Sequence, residues 1–288
     1  MASVTKHSPG RWLRQYRRTP FSLVLRLLVV LSAAVTASAL LFLIIYILVN
    51  GIPHLTPELF SLHYTSENVS FLPSIVNTLL ITALSLLIAA PLGIFSAIYL
   101  VEYARRGSRL VRLVRLTAET LSGIPSIVYG LFGMLFFVTA LHLDYSILAG
   151  VFTISIMILP LIMRTTEEAL QSVPDSFREG SFGLGAGRLR TVFRIVLPSA
   201  VPGILAGVIL AIGRIVGETA ALMYTAGTVA EIPDSLLSSG RTLSVHMYTL
   251  SNEALHTDQA YATAVMLLVV VLLINTASAS LARKIAKK

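Results

Sequence analysis

Six apolar runs constrain this chain more than any other feature, because a helix needs about 20 apolar residues to cross a hydrocarbon core. They are Phe21–Val49, Ser74–Leu100, Thr120–Leu141, Ile147–Met163, Val201–Tyr224 and Ala262–Ala282. The expected fold is all-α and membrane-integral, with about six transmembrane helices. Charge agrees: Asp, Glu, Lys and Arg make up 12% of 288 residues, against about 25% in soluble domains. Mean hydropathy is +0.81.

The net charge of +8 could indicate nucleic acid, but its distribution points elsewhere. Lys6, Arg11, Arg14, Arg17, Arg18 and Arg26 sit before or at the start of the first run. Arg105, Arg106, Arg109, Arg112 and Arg115 separate runs two and three. Arg164, Arg178, Arg188, Arg190 and Arg194 separate runs four and five, and Arg283, Lys284, Lys287 and Lys288 follow the sixth. Only Arg214 and Arg241 fall elsewhere. By the positive-inside rule both termini are cytoplasmic, and no nucleic-acid partner is expected. The chain divides into a basic cytoplasmic segment (1–20), a first helix with its external loop (21–70), a core (71–282) and a basic tail (283–288). Ala37-Ser38-Ala39 resembles a signal-peptidase site, but a cleaved signal has an apolar region of only about 7–15 residues. A retained first helix is expected. The arginines of 105–115 alternate with Leu110, Val111, Leu113 and Val114, a pattern suited to a short amphipathic helix on anionic membrane lipid.

Enzymatic chemistry finds little support. There is no cysteine, which excludes thiolate metal sites and cysteine nucleophiles. His7, His54, His63, His142, His246 and His256 lack ligand spacing, so no metal is expected. No Gly-x-x-x-x-Gly-Lys-Ser/Thr loop occurs, so ATP and Mg are not expected to bind this chain.

Two places concentrate unusual residues. In the cytoplasmic connection 166–200, Pro174-Asp175-Ser176 offers a break and a helix start, with Phe177, Ser181, Leu184 and Gly185 able to share one side. Gly183, Gly185 and Gly187 follow, then Leu189, Val192, Phe193 and Val196 resume an apolar face. A helix, a glycine-rich turn and a second helix are expected, either packed on their own bundle or inserted into another protein. The second place is Arg214, roughly 20 Å into the fifth run. A central arginine costs about 2.5–3.5 kcal/mol on insertion scales and usually faces a bundle interior or aqueous cavity. Glu218, one turn on, could pair with it, while Gly207, Gly213 and Gly217 narrow the helix. A buried structural pair and an anion-binding arginine both fit, and a guanidinium fork suits phosphate-like oxygens.

Glu179-Gly180-Ser181, Gly185, Ile195 and Leu197-Pro198 resemble the cytoplasmic loop of bacterial ABC importer permeases, with Gly180 and Ser181 at positions usually held by alanine. Gly213-Arg214-Ile215-Val216-Gly217-Glu218-Thr219-Ala220 resembles the Arg-x-x-Gly-Glu-Thr signature of phosphate-specific permeases. Sulfate and molybdate permeases share a related core. Ser122 to Gly130, containing Gly123 and Pro125, resembles the same family's glycine-proline segment; a simple kink and an opened cytoplasmic mouth both fit it. The segment Leu243–Tyr248 looks most like the A-type subunit (PstA). The resemblance implies a type I importer permease fold in the bacterial inner membrane, with 179–198 docking on an ATPase and Arg214, Glu218 and Thr219 lining an anion path. The implied partners are a homologous permease forming a heterodimer, two copies of an ATP-binding subunit holding ATP and Mg, and an external phosphate-binding protein.

Overall fold

The computed structural model describes residues 20–105, 107–253 and 256–286. The topological roles expected of Lys6, Arg11, Arg14, Arg17, Arg18, Arg106, Lys287 and Lys288 concern residues outside these. Among the described residues all regular structure is helical. The chain divides into two compact units, one ending at Asn50 and one from Gly51 onward. The first is formed by α1 (Pro20–Gly51), whose long apolar side chains, such as Phe21, Leu31 and Phe42, are exposed.

In the second unit α2 (Leu72–Ile98) runs into a π-helical turn at Tyr99–Tyr103 and is followed by α3 (Arg109–Ser122). Next come α4 (Ser126–Gly133), continued by a π turn at Met134–Ala140, and α5 (Ile147–Gln171). The connection contains α6 (Asp175–Gly183) and α7 (Arg188–Thr191), which passes through a π turn at Val192–Val196 into α8 (Leu197–Val216). After these come α9 (Ala220–Met223), α10 (Leu243–Glu253) and α11 (Thr257–Ala286).

Helix α5 is the spine. Ser146 caps it, its hydroxyl accepting the Ala149 N–H at 3.2 Å, a residue type suited to that position. Ile147, Ile154, Ile158, Ile162 and Leu170 are fully buried along it, the pattern of a helix surrounded by others. Helix α2 approaches through Gly93, where a Cβ would lie 2.9 Å from Ile162. Helix α8 approaches through Gly203 and Gly207, where a Cβ would collide with Ala169 and with the Thr165 hydroxyl. Small residues are what lets apolar helices pack closely without a hydrophobic driving force.

Among the described residues five helices are long and apolar enough to span a membrane, six if the bent pair α3 and α4, meeting at 101°, is taken as one span. This corrects the expected third run. Thr120–Ser122 close α3, and the apolar helix begins only at Ser126. Pro125 disfavours helical backbone at Ile124 and supplies no N–H, so the chain turns there. The fifth run also differs. Its helix starts at Arg188 instead of Val201 and stops at Val216 instead of Tyr224. Gly217 ends it, and Glu218 and Thr219 lie in a break before α9.

The glycine contacts set a test of this packing. Gly207→Leu should lower the thermal melting of the purified protein through overpacking of about 1–3 kcal/mol. Gly213→Ala, whose Cβ meets nothing within 4 Å, should melt like the parent, so equal losses in a melting assay would contradict this arrangement.

Candidate functional site

Arg214 sits in the last turn of α8, half-buried. Among the described residues it takes part in no ion pair and donates no hydrogen bond. It borders two openings. One, of about 550 Å³, is lined by Leu161, Ala206, Leu210 and Asn275. The other, of about 590 Å³, brings Arg115 and Arg164 together with Glu119, Glu167 and Glu168. Both of those arginines are matched: Arg115 Nε lies 3.0 Å from Glu167, and Arg164 Nε lies 3.0 Å from Glu168. The free guanidinium at this cleft is therefore Arg214. Gly213 lies beside it on open space and a Cβ at Gly217 would meet only the Gly213 carbonyl, at 3.6 Å, whereas Gly207 is packed against α5.

The pairing of Glu218 with Arg214 that the one-turn spacing allowed does not form, because α8 ends before Glu218. Glu218 is 7% exposed, and its Oε1 accepts the Ala221 N–H at 3.1 Å. Its carbonyl accepts the Ser244 hydroxyl at 2.6 Å. Glu218 thus holds the start of α9 and ties the break to α10. Thr219 is half-buried, its hydroxyl 3.5 Å from the Gly217 carbonyl. Helix α9 packs on α4 across Gly130, where a Cβ would lie 2.9 Å from Ala221 Cα. The break at 217–219 is therefore braced by the helix that begins after the break at Gly123–Pro125.

The cytoplasmic connection forms the expected helix, turn and helix. Gly185 has φ +83°, a conformation that costs other residues about 1–2 kcal/mol. Ser181 does not share the outer face with Leu184. It is buried, 2.8 Å from the Thr191 hydroxyl, closing α6 onto α7. The outer face is Phe177, Phe182 and Leu184, the last 91% exposed. At Gly180, Gly183, Gly185 and Gly187 a Cβ would meet nothing within 4 Å, so their smallness serves no packing within the described chain. Glu179 and Pro198 are exposed, Ile195 is half-buried, and Leu197 packs on the cluster around Val192 and Val196. Pro198 does not end the helix; the π turn before it absorbs the missing backbone donor.

The residue missed by sequence reasoning is Arg178. Its Nη2 lies 2.7 Å from Glu102 and donates to the Leu170 carbonyl at 2.9 Å. Its Nη1 reaches Asp175 and the Val173 carbonyl. The hydrogen bond that Arg178 donates to Glu102 raises the Arg178 pKa above its ordinary value. One side chain thus joins α6 to the ends of α2 and α5. The only sequence signal was Glu102, a lone acid at the end of an apolar run. On the opposite side of the bundle Arg241 is 4% exposed, and its guanidinium lies 4.7 Å from the Tyr64 ring centre. Burial and Arg241 together lower the neighbouring His246 to a pKa of about 3, leaving it neutral at physiological pH.

A multi-span helical bundle, a free arginine at an open cleft and an exposed elbow fit a transport permease subunit. Residues 89–288 match the family described as binding-protein-dependent transport system inner membrane component, and the chain belongs to that family. It is 32% identical over 276 residues to a probable ABC transporter permease, YqgI, of Bacillus subtilis, covering 90% of this chain and 94% of that one. It is 35% identical over 250 residues to the phosphate transport system permease PstA of Pasteurella multocida, covering 82% and 85% respectively. The fold resembles a bacterial alginate ABC transporter in complex with its oligosaccharide-bound periplasmic protein, with TM-score 0.68 at 18% identity over 96% of this chain and 99% of that chain. It also resembles the inward-facing methionine transporter MetNI, with TM-score 0.57 at 19% identity over 74% and 93%.

The Arg178 clamp can be tested by removing either end. Arg178→Gln leaves the buried Glu102 carboxylate unmatched and Glu102→Gln leaves Arg178 only the exposed Asp175; breaking a buried pair costs about 3–5 kcal/mol. Each should lower the melting temperature more than Asp175→Asn, whose side chain is 72% exposed; equal effects in a melting assay would count against the clamp.

Proposed function

We propose that this chain is the A-type membrane subunit of an ATP-driven phosphate importer in a bacterial inner membrane, forming half of the pathway with a homologous permease. Two ATP-binding subunits, carrying ATP and Mg, dock below it, and a phosphate-binding protein delivers the anion outside. The observation that carries the anion reading is the free guanidinium of Arg214 at a cleft where the other arginines are neutralised. The phosphate transport permeases among its relatives favour phosphate over sulfate or molybdate.

In this reading Arg214 meets the anion directly, its planar fork matching two phosphate oxygens. Glu218 acts as a positioning residue: it fixes the break after α8 and does not compensate Arg214, so the arginine remains available. Thr219 offers a hydroxyl beside that break. Gly123 and Pro125 turn the chain at the cytoplasmic mouth, between α3 and α4. The elbow receives the ATPase through Glu179, Leu184 and the open glycines 180, 183, 185 and 187, while Ser181 keeps α6 and α7 closed as one piece. ATP-driven closure below then shifts the helices and alternates access to the cleft.

Arg214→Ala should reduce ATP-dependent phosphate uptake by reconstituted complex about 10- to 100-fold, the range for losing a charge-assisted contact, with subunit stoichiometry unchanged. Labelled phosphate uptake should resist competition by equimolar sulfate or molybdate. Normal uptake by the variant would refute the role of Arg214, and accumulation of sulfate would reassign the cargo. Gly185→Arg or Glu179→Lys should abolish co-purification of the ATPase while the chain still inserts; full recovery of ATPase on an affinity resin would place docking elsewhere.

A further inference from the structure

Two cavities at the cytoplasmic end of the second unit lie apart from Arg214. One, of about 700 Å³, is mainly apolar, with Phe95, Tyr99, Leu110 and Val114 in its wall. The other, of about 760 Å³, is polar and contains Arg105, Arg115, Arg178 and Arg188 beside Glu102 and Asp175. Leu100, Tyr103, Ala104, Arg105 and Val111 border both. They form one surface with an apolar end and a basic end.

The charges in the basic end are unequal in their partners. Glu102 and Asp175 match Arg178, and Glu167 matches Arg115. Arg105 and Arg188 face no carboxylate within ion-pair distance among the described residues. Between the two cavities, the Tyr103 hydroxyl is buried without a hydrogen-bond partner, and the Arg188 guanidinium lies 5.9 Å from the Tyr103 ring centre. A buried hydroxyl without a partner is costly, and an anionic oxygen reaching it would supply the acceptor it lacks.

We propose that this surface binds one anionic phospholipid. Its headgroup phosphate lies between Arg105 and Arg188 and accepts from Tyr103 Oη, and an acyl chain follows the apolar groove between the end of α2 and α3. The location fits. Helix α3 has no buried residue and exposes Leu110, Leu113 and Leu116 beside Arg109 and Arg112, as an interfacial helix does. Basic residues place it at the cytoplasmic leaflet, where anionic lipids gather. Free phosphate would satisfy the basic end alone and leave the apolar groove unfilled. Because Arg115 of α3 borders both this surface and the Arg214 cleft, the lipid would fix one wall of that cleft.

The experiment is native mass spectrometry of the detergent-exchanged complex of this chain with its partner subunits, supplied with phosphatidylglycerol or phosphatidylcholine; its readout does not depend on transport. Expected is retention of phosphatidylglycerol at least tenfold above phosphatidylcholine, with one bound lipid lost in Arg105→Gln/Arg188→Gln. Ser96 also lines the apolar cavity; Ser96→Trp, which fills the groove without altering charge, should lose the same lipid, and Tyr103→Phe should weaken it severalfold. Arg109→Gln/Arg112→Gln, which removes equal charge from the outer side of α3, should retain it. Equal loss in that control means diffuse attraction and overturns the proposal. Retention in Ser96→Trp, or displacement by millimolar inorganic phosphate, makes it a free-anion site and overturns it too. The same spectra report subunit stoichiometry, so lipid loss counts only in intact complexes.

Discussion

Hydrocarbon cannot hydrogen-bond, so a chain crossing it must satisfy its backbone internally and place each charge against a partner or water. Most of this structure is continuous helix for that reason. The two breaks within spans, at Gly123–Pro125 and Gly217–Thr219, are the exceptions, and each is compensated locally. Glu218 accepts the Ala221 N–H and Ser244 donates to the Glu218 carbonyl. Tyr129 Oη donates to the Leu121 carbonyl at 2.8 Å, closing the bend from the other side. Gly130 allows the two broken segments to touch. Tyr129, Gly130 and Glu218, which brace these breaks, are buried, whereas Gly123, Pro125 and Gly217 are exposed.

Apolar length made the number and approximate position of the helices legible in the sequence. Helix ends were less so, because they depend on tertiary partners. The apolar residues Ala220–Tyr224 read as a continuation of the fifth run, yet Gly217 stops the helix and α9 packs separately on α4. Arg188–Val196 read as a separate cytoplasmic helix, although it is continuous with α8 through a π turn. The spacing of Arg214 and Glu218 suggested an ion pair only because it assumed one helix through both. Arg178 was invisible as a structural residue because its partners, Glu102, Leu170 and Val173, come from two other elements.

The elbow and the cleft share a design in which charge is matched where rigidity is required and left free where contact is required. Arg178, Arg115 and Arg164 each have a carboxylate and brace α2, α3, α5 and α6. Arg214 has none, and neither do the apolar tip at Leu184 or the glycines around it have a partner within the chain. The surfaces that would meet an anion and a second protein are those left unsatisfied.

The elbow and Arg214 occupy opposite ends of one rod. Arg188–Val216 contains 29 residues, or roughly 43 Å at about 1.5 Å per residue, with only Pro198, Pro202 and one π turn to soften it. Arg214 borders two grooves that share Leu161 of α5. Because the rod is unbroken, a displacement of its elbow end would reach Arg214 without unwinding a single turn. The rod thus carries the exposed elbow at one end and the uncompensated guanidinium at the other.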